Sequence, residues 1–114
     1  MARYKVLVLS NCVAGREAEY NAYYDNQHIP DILRELPEVQ SAQRFQLEPV
    51  RAAEGQPEWR FSCLYEIETE NFSQYLSNMQ RALVENRIPP SDAAIADSSA
   101  VFKLIPLTEV VQRK

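Results

Sequence analysis

The amino-acid sequence predicts an α+β fold with the element order β-α-β-β-α-β. Two regions repeat apolar residues every three or four positions, as helices do, and four short segments are rich in Val, Leu or aromatic residues, as strands are. With 114 residues, the chain can bury the core of one domain, expected to span residues 1–114. These elements pack most economically as one antiparallel sheet with helices on one face, the ferredoxin-like arrangement.

The first third of the chain predicts a strand followed by two helical segments. Residues Tyr4–Asn11 form an apolar run typical of a buried strand, and Arg16–Gln27 follows as a helix. A second helical run starts at Pro30–Leu36. Because proline cannot continue a helix internally and drives the preceding residue toward an extended conformation, the first helix should end near Gln27. His28 would then lie at the C-terminal edge of that helix.

The rest of the chain predicts three strands, at Val39–Leu47, Trp59–Ile67 and Ala100–Leu107, and one helix at Glu70–Arg87. Exposed loops are expected between them, over Glu48–Pro57 and Ser91–Ser99. Alternate residues of the third strand should face the core: Trp59, Phe61, Cys63, Tyr65 and Ile67. The helix repeats apolar residues at core spacing: Phe72, Tyr75, Leu76, Met79, Leu83 and Val84. Ile29, Ile32, Leu33 and Leu36 show the same spacing in the second helical run.

A sheet with helices on one side leaves its other face open. Apolar residues of the outer strands must then occupy the open face: Leu7, Leu9, Phe102 and Leu104, or their alternating neighbours. An uncovered apolar face of this size is an association site. We therefore expect a homodimer in which two sheets close on each other.

Composition argues against several classes of protein. The formal net charge is −4 and no Lys/Arg cluster offers a phosphate-binding face, which argues against nucleic-acid binding. No apolar run approaches the roughly 20 residues of a membrane-spanning helix. Cys12 and Cys63 build no disulfide framework, so a reduced, cytoplasmic protein is expected. One histidine argues against a zinc site and two glycines against a P-loop, so neither metal nor cofactor is expected. A haem held by His28 stays an alternative.

The chemically richest stretch lies between residues 20 and 45 and contains His28, the only histidine. On a helix Tyr20 and Tyr24, eight and four residues before it, share its stripe. Histidine exchanges protons near neutrality, a nearby Asp25 could orient it, and a helix C-terminus would favour its protonated form. The alternative of equal weight is structural, with His28 capping helix carbonyls or supporting the following turn.

Tyr20, Tyr23 and Tyr24 could donate hydrogen bonds to a carbonyl or an enolate. Aromatic residues at helical spacing more often pack against a sheet, and this role is favoured for one or two of the three. Tyr24 is the best candidate for the site because it aligns with His28.

Two polar residues on the strands are further candidates. Arg44 could hold a carboxylate or phenolate if its face lines a pocket, although a salt bridge to Glu66 is the favoured alternative. Asn11 could orient a ligand oxygen or merely terminate the first strand. Cys63 lies on the apolar face of its strand, where an inert buried thiol is expected.

Several motifs together resemble a known group: Gly15-Arg16-Glu17, Tyr23-Tyr24-Asp25, His28-Ile29-Pro30-Asp31, Leu36-Pro37 and Ser41-Ala42-Gln43-Arg44-Phe45. The chain resembles dimeric α+β barrel proteins and, more narrowly, the small EthD-like members. The resemblance implies a ferredoxin-like protomer, a dimer and a pocket between helices and sheet. This superfamily includes muconolactone-type isomerases, polyketide cyclases, cofactor-free monooxygenases and haem-degrading enzymes. Glu38 replaces the glycine usual in the turn, and the second histidine of some acid-base relatives is absent.

The expected function is that of a small cofactor-independent enzyme acting on an apolar oxygenated substrate such as a lactone, quinol or polyketide-like aromatic. Isomerisation, cyclisation or elimination fits one histidine and several hydroxyls, because no activated nucleophile is visible. The catalytic candidates are His28, as general acid or base, and Tyr24. The substrate-binding candidates are Tyr20, Asn11, Arg44 and Asp25. The alternatives are a non-catalytic small-ligand-binding or dimerisation protein, or a cofactor-free or haem-dependent monooxygenase.

Overall fold

The computed structural model describes residues 2–114 and has the predicted order of elements. Its strands are β1 (Arg3–Ser10), β2 (Val39–Gln46), β3 (Phe61–Glu68) and β4 (Ala100–Leu104). Its helices are α1 (Glu17–Tyr23), α2 (Ile29–Glu35) and α3 (Phe72–Val84), with a π-helical turn at Tyr24–His28 and a 3-10 turn at Ala96–Ser98. The strands pair antiparallel in the order β2-β3-β1-β4, which is the predicted ferredoxin-like α+β architecture.

The strand register separates a face packed against the helices from an open face. Val6 pairs with Tyr65 and Val8 with Cys63, and these side chains contribute to the core between sheet and helices. The helical side supplies the rest of this core, chiefly Tyr20, Tyr24, Ile32, Leu36, Tyr75 and Ala82. The predicted inward face of the third strand is confirmed from Phe61 to Ile67.

The alternate residues of the same strands lie on the open face. Leu7 pairs with both Leu64 and Phe102, and Leu104 lies opposite Lys5. Phe102 is 47% exposed and Leu104 38% exposed. The open face therefore carries the predicted apolar residues, Leu7, Leu9, Phe102 and Leu104, with Leu64 and Phe45 beside them.

The predicted break before Pro30 is wrong. The backbone stays helical through His28 (φ −64°, ψ −53°) and Ile29 (φ −64°, ψ −47°), so α1, the π turn and α2 follow one another directly. The Ile29 N–H donates to the carbonyl of Tyr24, five residues back, which widens the turn. Pro30 is the second residue of α2, and its fixed φ of about −65° is compatible with the helical backbone that continues through it. His28 therefore lies inside a continuous helical stretch.

Part of the predicted helical core is exposed. The stripe that α3 buries runs through Phe72, Tyr75, Met79 and Ala82. Leu76, Leu83 and Val84 are 52%, 45% and 74% exposed, and Leu33 of α2 is 42% exposed. A helix on a sheet buries one stripe only, and Leu76 and Leu83 each follow a buried residue directly, which places them past the edge of that stripe.

Two predicted strands are shorter than expected. Trp59 precedes β3 and donates its indole N–H to the Ser98 carbonyl at 2.6 Å, which fixes it in the loop. The β4 ladder ends at Leu104 because Pro106, two residues on, has no N–H to donate. Within residues 2–114, none of the helices combines the length and apolar character needed to cross a membrane.

Candidate functional site

The stripe predicted on the first helix exists and continues into the π turn. The ring centroids of Tyr20 and Tyr24 are 5.0 Å apart, and those of Tyr24 and His28 are 4.8 Å apart. Arg44, on the helix-facing side of β2, extends its guanidinium to 4.8 Å from the Tyr24 ring. The structure thus brings together five of the six predicted site residues, namely Tyr20, Tyr24, Asp25, His28 and Arg44, with Asp25 joined to the group through Arg44.

Tyr20 belongs to the core. Its side chain is fully buried, its hydroxyl is hydrogen-bonded to Ser10 Oγ, and its ring lies 5.1 Å from that of Phe61. Tyr20 therefore packs α1 onto β1 and β3, and its ring also contacts that of Tyr24.

Arg44 is a largely buried cation held by groups of α1 and the π turn. Its side chain is 16% exposed, with Nη2 donating to Asn21 Oδ1 at 2.9 Å and Nη1 lying 3.3 Å from Asp25 Oδ1. Asp25 is 61% exposed, so water screens this ion pair. The guanidinium also contacts the rings of Tyr24, Tyr20 and Phe61, which gives the cation a favourable aromatic surrounding.

The predicted ion pair between Arg44 and Glu66 is wrong. Arg44 lies opposite Cys63 in the β2–β3 ladder and shares its helix-facing side, whereas Glu66 lies opposite Ser41. Successive residues on a strand point to opposite faces, so Cys63 and Glu66, three residues apart on β3, face opposite ways. Arg44 shares the side of Cys63, and the charges of Arg44 and Glu66 therefore lie on opposite sides of the sheet.

His28 is half-buried between α1 and the loop that follows α3. Its Nδ1 lies 3.0 Å from the hydroxyl oxygen of Tyr23, and the same hydroxyl lies 2.8 Å from the Pro89 carbonyl oxygen. Among residues 2–114, no group is hydrogen-bonded to Nε2. Burial lowers the pKa of His28 to about 4, partly opposed by the nearby Asp31 carboxylate. The expectation that a helix end favours the protonated form is wrong, because desolvation dominates and no helix ends here.

The depressed pKa of His28 predicts that unfolding becomes easier in mild acid. An unfolded histidine has a pKa near 6.5, so this contribution to stability is complete above that pH and is lost as the pH falls toward 4. Between pH 7 and pH 5 we expect urea unfolding to show a loss of about 2 kcal/mol that His28→Gln lacks. Carboxylates titrate in both the wild type and His28→Gln, so their contribution to the pH dependence of unfolding cancels in the comparison. Equal pH dependences would show that His28 is not desolvated.

Asn11 acts on the start of β3. Its Oδ1 accepts from the Arg60 backbone N–H at 2.9 Å, and its Nδ2 donates to the Glu58 carbonyl at 2.9 Å. Both ends of the amide are therefore used to align the chain entering β3. Of the two roles considered for Asn11, the structure favours the structural one.

Two cavities of the described chain lie on opposite sides of the sheet. A groove of about 810 Å³ runs between α1 and the loop after α3, with Tyr23, Asn26 and Asp92 among its lining residues. A second cavity, of about 530 Å³, lies at one end of the open sheet face, near Arg3, Glu66 and Leu104. Neither is lined by His28 or Tyr24, and only Tyr23 links the groove to the imidazole.

The environment of Cys63 disfavours thiol chemistry. Cys63 is 2% exposed and burial raises the pKa of its thiol, so the thiolate is disfavoured. Within residues 2–114, no cluster of three or more His, Cys, Asp or Glu side chains is arranged to hold a metal ion.

Sequence reasoning missed two partners of the cluster, Asn21 and Pro89. Asn21 lies four residues before Asp25, and this helical spacing places both beside Arg44. The sequence predicts Tyr23 as a hydrogen-bond donor to substrate or as a packing residue, and not as a partner of His28. Its contact with His28, five residues on, depends on the π turn, which the usual three- and four-residue spacing does not anticipate.

Comparison with known proteins identifies the fold. No protein-family model matches the sequence, and no curated protein matches it. Among solved structures, an ethyl tert-butyl ether D (EthD) family protein from Bacillus halodurans has a TM-score of 0.57 at 13% identity over 93% of this chain and 100% of that one. The chain has an EthD-like fold.

Two further solved structures similar to the chain are described as ferredoxin-like. A DABB family protein with a ferredoxin-like fold from Mesorhizobium loti has a TM-score of 0.57 at 10% identity, covering 95% of this chain and 100% of that one. A dimeric ferredoxin-like protein of unknown function from Jannaschia sp. CCS1 has a TM-score of 0.51 at 16% identity, covering 92% and 100%. The predicted resemblance to EthD-like dimeric α+β barrel proteins is therefore confirmed at the level of the fold, and reaction chemistry does not follow from it.

Proposed function

We propose that the protein is a small cofactor-independent enzyme that moves a proton on an apolar oxygenated substrate, such as a lactone, quinol or polyketide-like aromatic. The observation that carries the proposal is His28, an imidazole that burial keeps neutral at pH 7 and whose Nε2 has no hydrogen-bond partner among residues 2–114. A neutral imidazole with a free nitrogen can accept a proton from a strongly acidic C–H or phenolic O–H group, and the lowered pKa makes this imidazole a weaker base than an ordinary histidine.

Tyr24 and Arg44 would stabilise the negative charge that forms when the proton leaves. Burial, followed by the nearby Tyr20 hydroxyl, raises the pKa of Tyr24, so its phenol keeps its hydrogen. The Arg44 guanidinium against the Tyr24 ring keeps positive charge in this partly dehydrated region, where it acts more strongly than in water. Return of the proton to a second atom isomerises the substrate, and loss of a leaving group completes an elimination. Asp25 would set the position of Arg44.

The open sheet face supports a homodimer. Phe45, Phe102 and Leu104, each 38–47% exposed, form an apolar surface that a second copy would cover. The fold resemblance implied a dimer of two such sheets. Each sheet would belong to one domain of residues 1–114. The two buried, free cysteines, Cys12 and Cys63, agree with the proposed cytoplasmic location.

A non-catalytic ligand-binding or dimerisation protein is the second candidate. It is favoured by the Tyr23 hydroxyl, which joins His28 to the Pro89 carbonyl as a structural brace would, and by the absence of His28 and Tyr24 from the walls of the two cavities. In that case the imidazole would hold the π turn against the loop after α3.

Proton exchange tests the enzymatic function without knowledge of the product. Lactones, quinols and aromatic ketones are incubated with the protein in D₂O, and exchange at acidic carbon positions is followed by NMR. We expect exchange of at least one compound class, slowed roughly 10²-fold in His28→Gln. A urea unfolding curve of the variant controls for its folding. Equal rates in the two proteins would reject His28 as the base and favour the structural role.

A further inference from the structure

The hydrogen bonds around Tyr23 determine which nitrogen of His28 carries its proton. A carbonyl oxygen has no hydrogen to donate, so the contact of 2.8 Å between Tyr23 and Pro89 requires the phenolic hydrogen to point at the carbonyl. A phenol has only one such hydrogen. The contact of 3.0 Å with His28 must therefore have Nδ1–H as donor and the Tyr23 oxygen as acceptor.

The geometry points to Tyr23 as a positioning residue that fixes His28 in the Nδ1–H tautomer and leaves the Nε2 lone pair as its basic site. A neutral imidazole carries one hydrogen on its two nitrogens, so a proton held at Nδ1 leaves Nε2 bare. This inference rests on the proposed function for its catalytic meaning, since it names the atom that would accept the substrate proton.

The loop after α3 holds this arrangement in place. Ile88 is 1% exposed and anchors the loop in the core, and the following Pro89-Pro90 pair restricts the backbone that presents the carbonyl. Burial raises the pKa of Tyr23 to about 12, so the phenol keeps its hydrogen at neutral pH. Tyr24 touches the same imidazole only through its ring, at 4.8 Å, and makes no hydrogen bond with either ring nitrogen.

Because the chain has one histidine, its imidazole nitrogens can be observed without assignment ambiguity. We would record the long-range ¹H–¹⁵N spectrum of the ¹⁵N-labelled protein at about pH 8, where the imidazole is neutral. The expected wild-type spectrum has Nδ1 in the protonated range and Nε2 in the unprotonated range. Tyr23→Phe should shift the population toward the Nε2–H form, which predominates in free histidine. Tyr24→Phe is the matched control and should keep the wild-type tautomer.

A wild-type spectrum dominated by Nε2–H overturns the inference, whatever happens to the folding of the variants. An unchanged tautomer in folded Tyr23→Phe overturns it as well. The outcome is independent of the proton-exchange assay: if His28→Gln retains full exchange activity but the spectrum shows Nδ1–H, the proposed function fails and the role of Tyr23 stands. If exchange needs His28 but the tautomer is Nε2–H, the proposed function stands and the role of Tyr23 fails.

Discussion

Phe102→Glu is expected to convert a dimer into a monomer. Phe102 lies on the open face, midway along the edge strand β4 and opposite Leu7 in the β1–β4 ladder, and is 47% exposed in the single chain. Its replacement costs the isolated protomer little, whereas a two-fold interface would bury two unpaired carboxylates. We expect the dissociation constant of the dimer to rise roughly 10³-fold, equal to about 4 kcal/mol. Analytical ultracentrifugation at micromolar concentration measures the change.

Val84→Glu provides the control for this experiment. Val84 is 74% exposed at the end of α3, on the helical side of the molecule, so the same change of residue size and charge is made away from the open face. This variant should remain a dimer of about 26 kDa, twice the 13.1 kDa of one chain. A dimeric Phe102→Glu, or a monomeric wild type, would show that the open sheet face is not the interface.

Arg44→Ala is expected to lower the free energy of unfolding by about 3 kcal/mol, because it removes a packed side chain from among three aromatic rings and leaves a cavity. Arg44→Met fills most of the same volume without the charge. An apolar replacement of a buried ion-pair member whose partner is exposed costs little, so the loss should stay within about 1 kcal/mol. Urea unfolding measures both values.

The two Arg44 variants separate a structural role from a role in binding. If Arg44 stabilises substrate charge, Arg44→Met slows proton exchange although it keeps most of the stability. Arg60→Ala is the matched control, since Arg60 also lies over Phe61, at 5.2 Å, but is 55% exposed. It should change stability by less than about 1 kcal/mol. A fully active Arg44→Met would leave Arg44 with a packing role only.

Sequence patterns predicted the sheet and its faces because burial imposes a strict alternation on strands. Once Phe61, Cys63 and Tyr65 are assigned to the core, alternation places Leu64 on the open face, and the register seen in the structure, with Leu7 opposite Leu64, decides that Leu7 faces the same way. The helical periodicity also placed Tyr20, Tyr24 and His28 on one stripe. These arguments use local geometry, which the residue spacing carries directly.

The remaining features of the site depend on contacts between distant segments. The π turn that keeps Pro30 within a helix results from a change in hydrogen bonding that residue spacing does not reveal. The Pro89 carbonyl meets Tyr23 across 66 residues of sequence. The pKa of His28 reverses its expected direction because desolvation by burial outweighs the nearby Asp31 charge, and burial depends on tertiary packing. Long-range packing therefore decides the chemistry of the one histidine.

The most direct test of the account is the reaction of folded protein with diethyl pyrocarbonate, which acylates unprotonated, accessible imidazole nitrogen. The chain has a single histidine, so one histidine adduct, located by mass spectrometry, reports on His28 alone. Between pH 5 and pH 7 the acylation rate of the folded protein should stay nearly constant, because a His28 with a pKa of about 4 is already neutral, whereas the rate of the urea-unfolded protein should rise as its histidine titrates near pH 6.5. A His28 that resists acylation when folded and reacts only when unfolded would contradict the account and leave the imidazole as a brace.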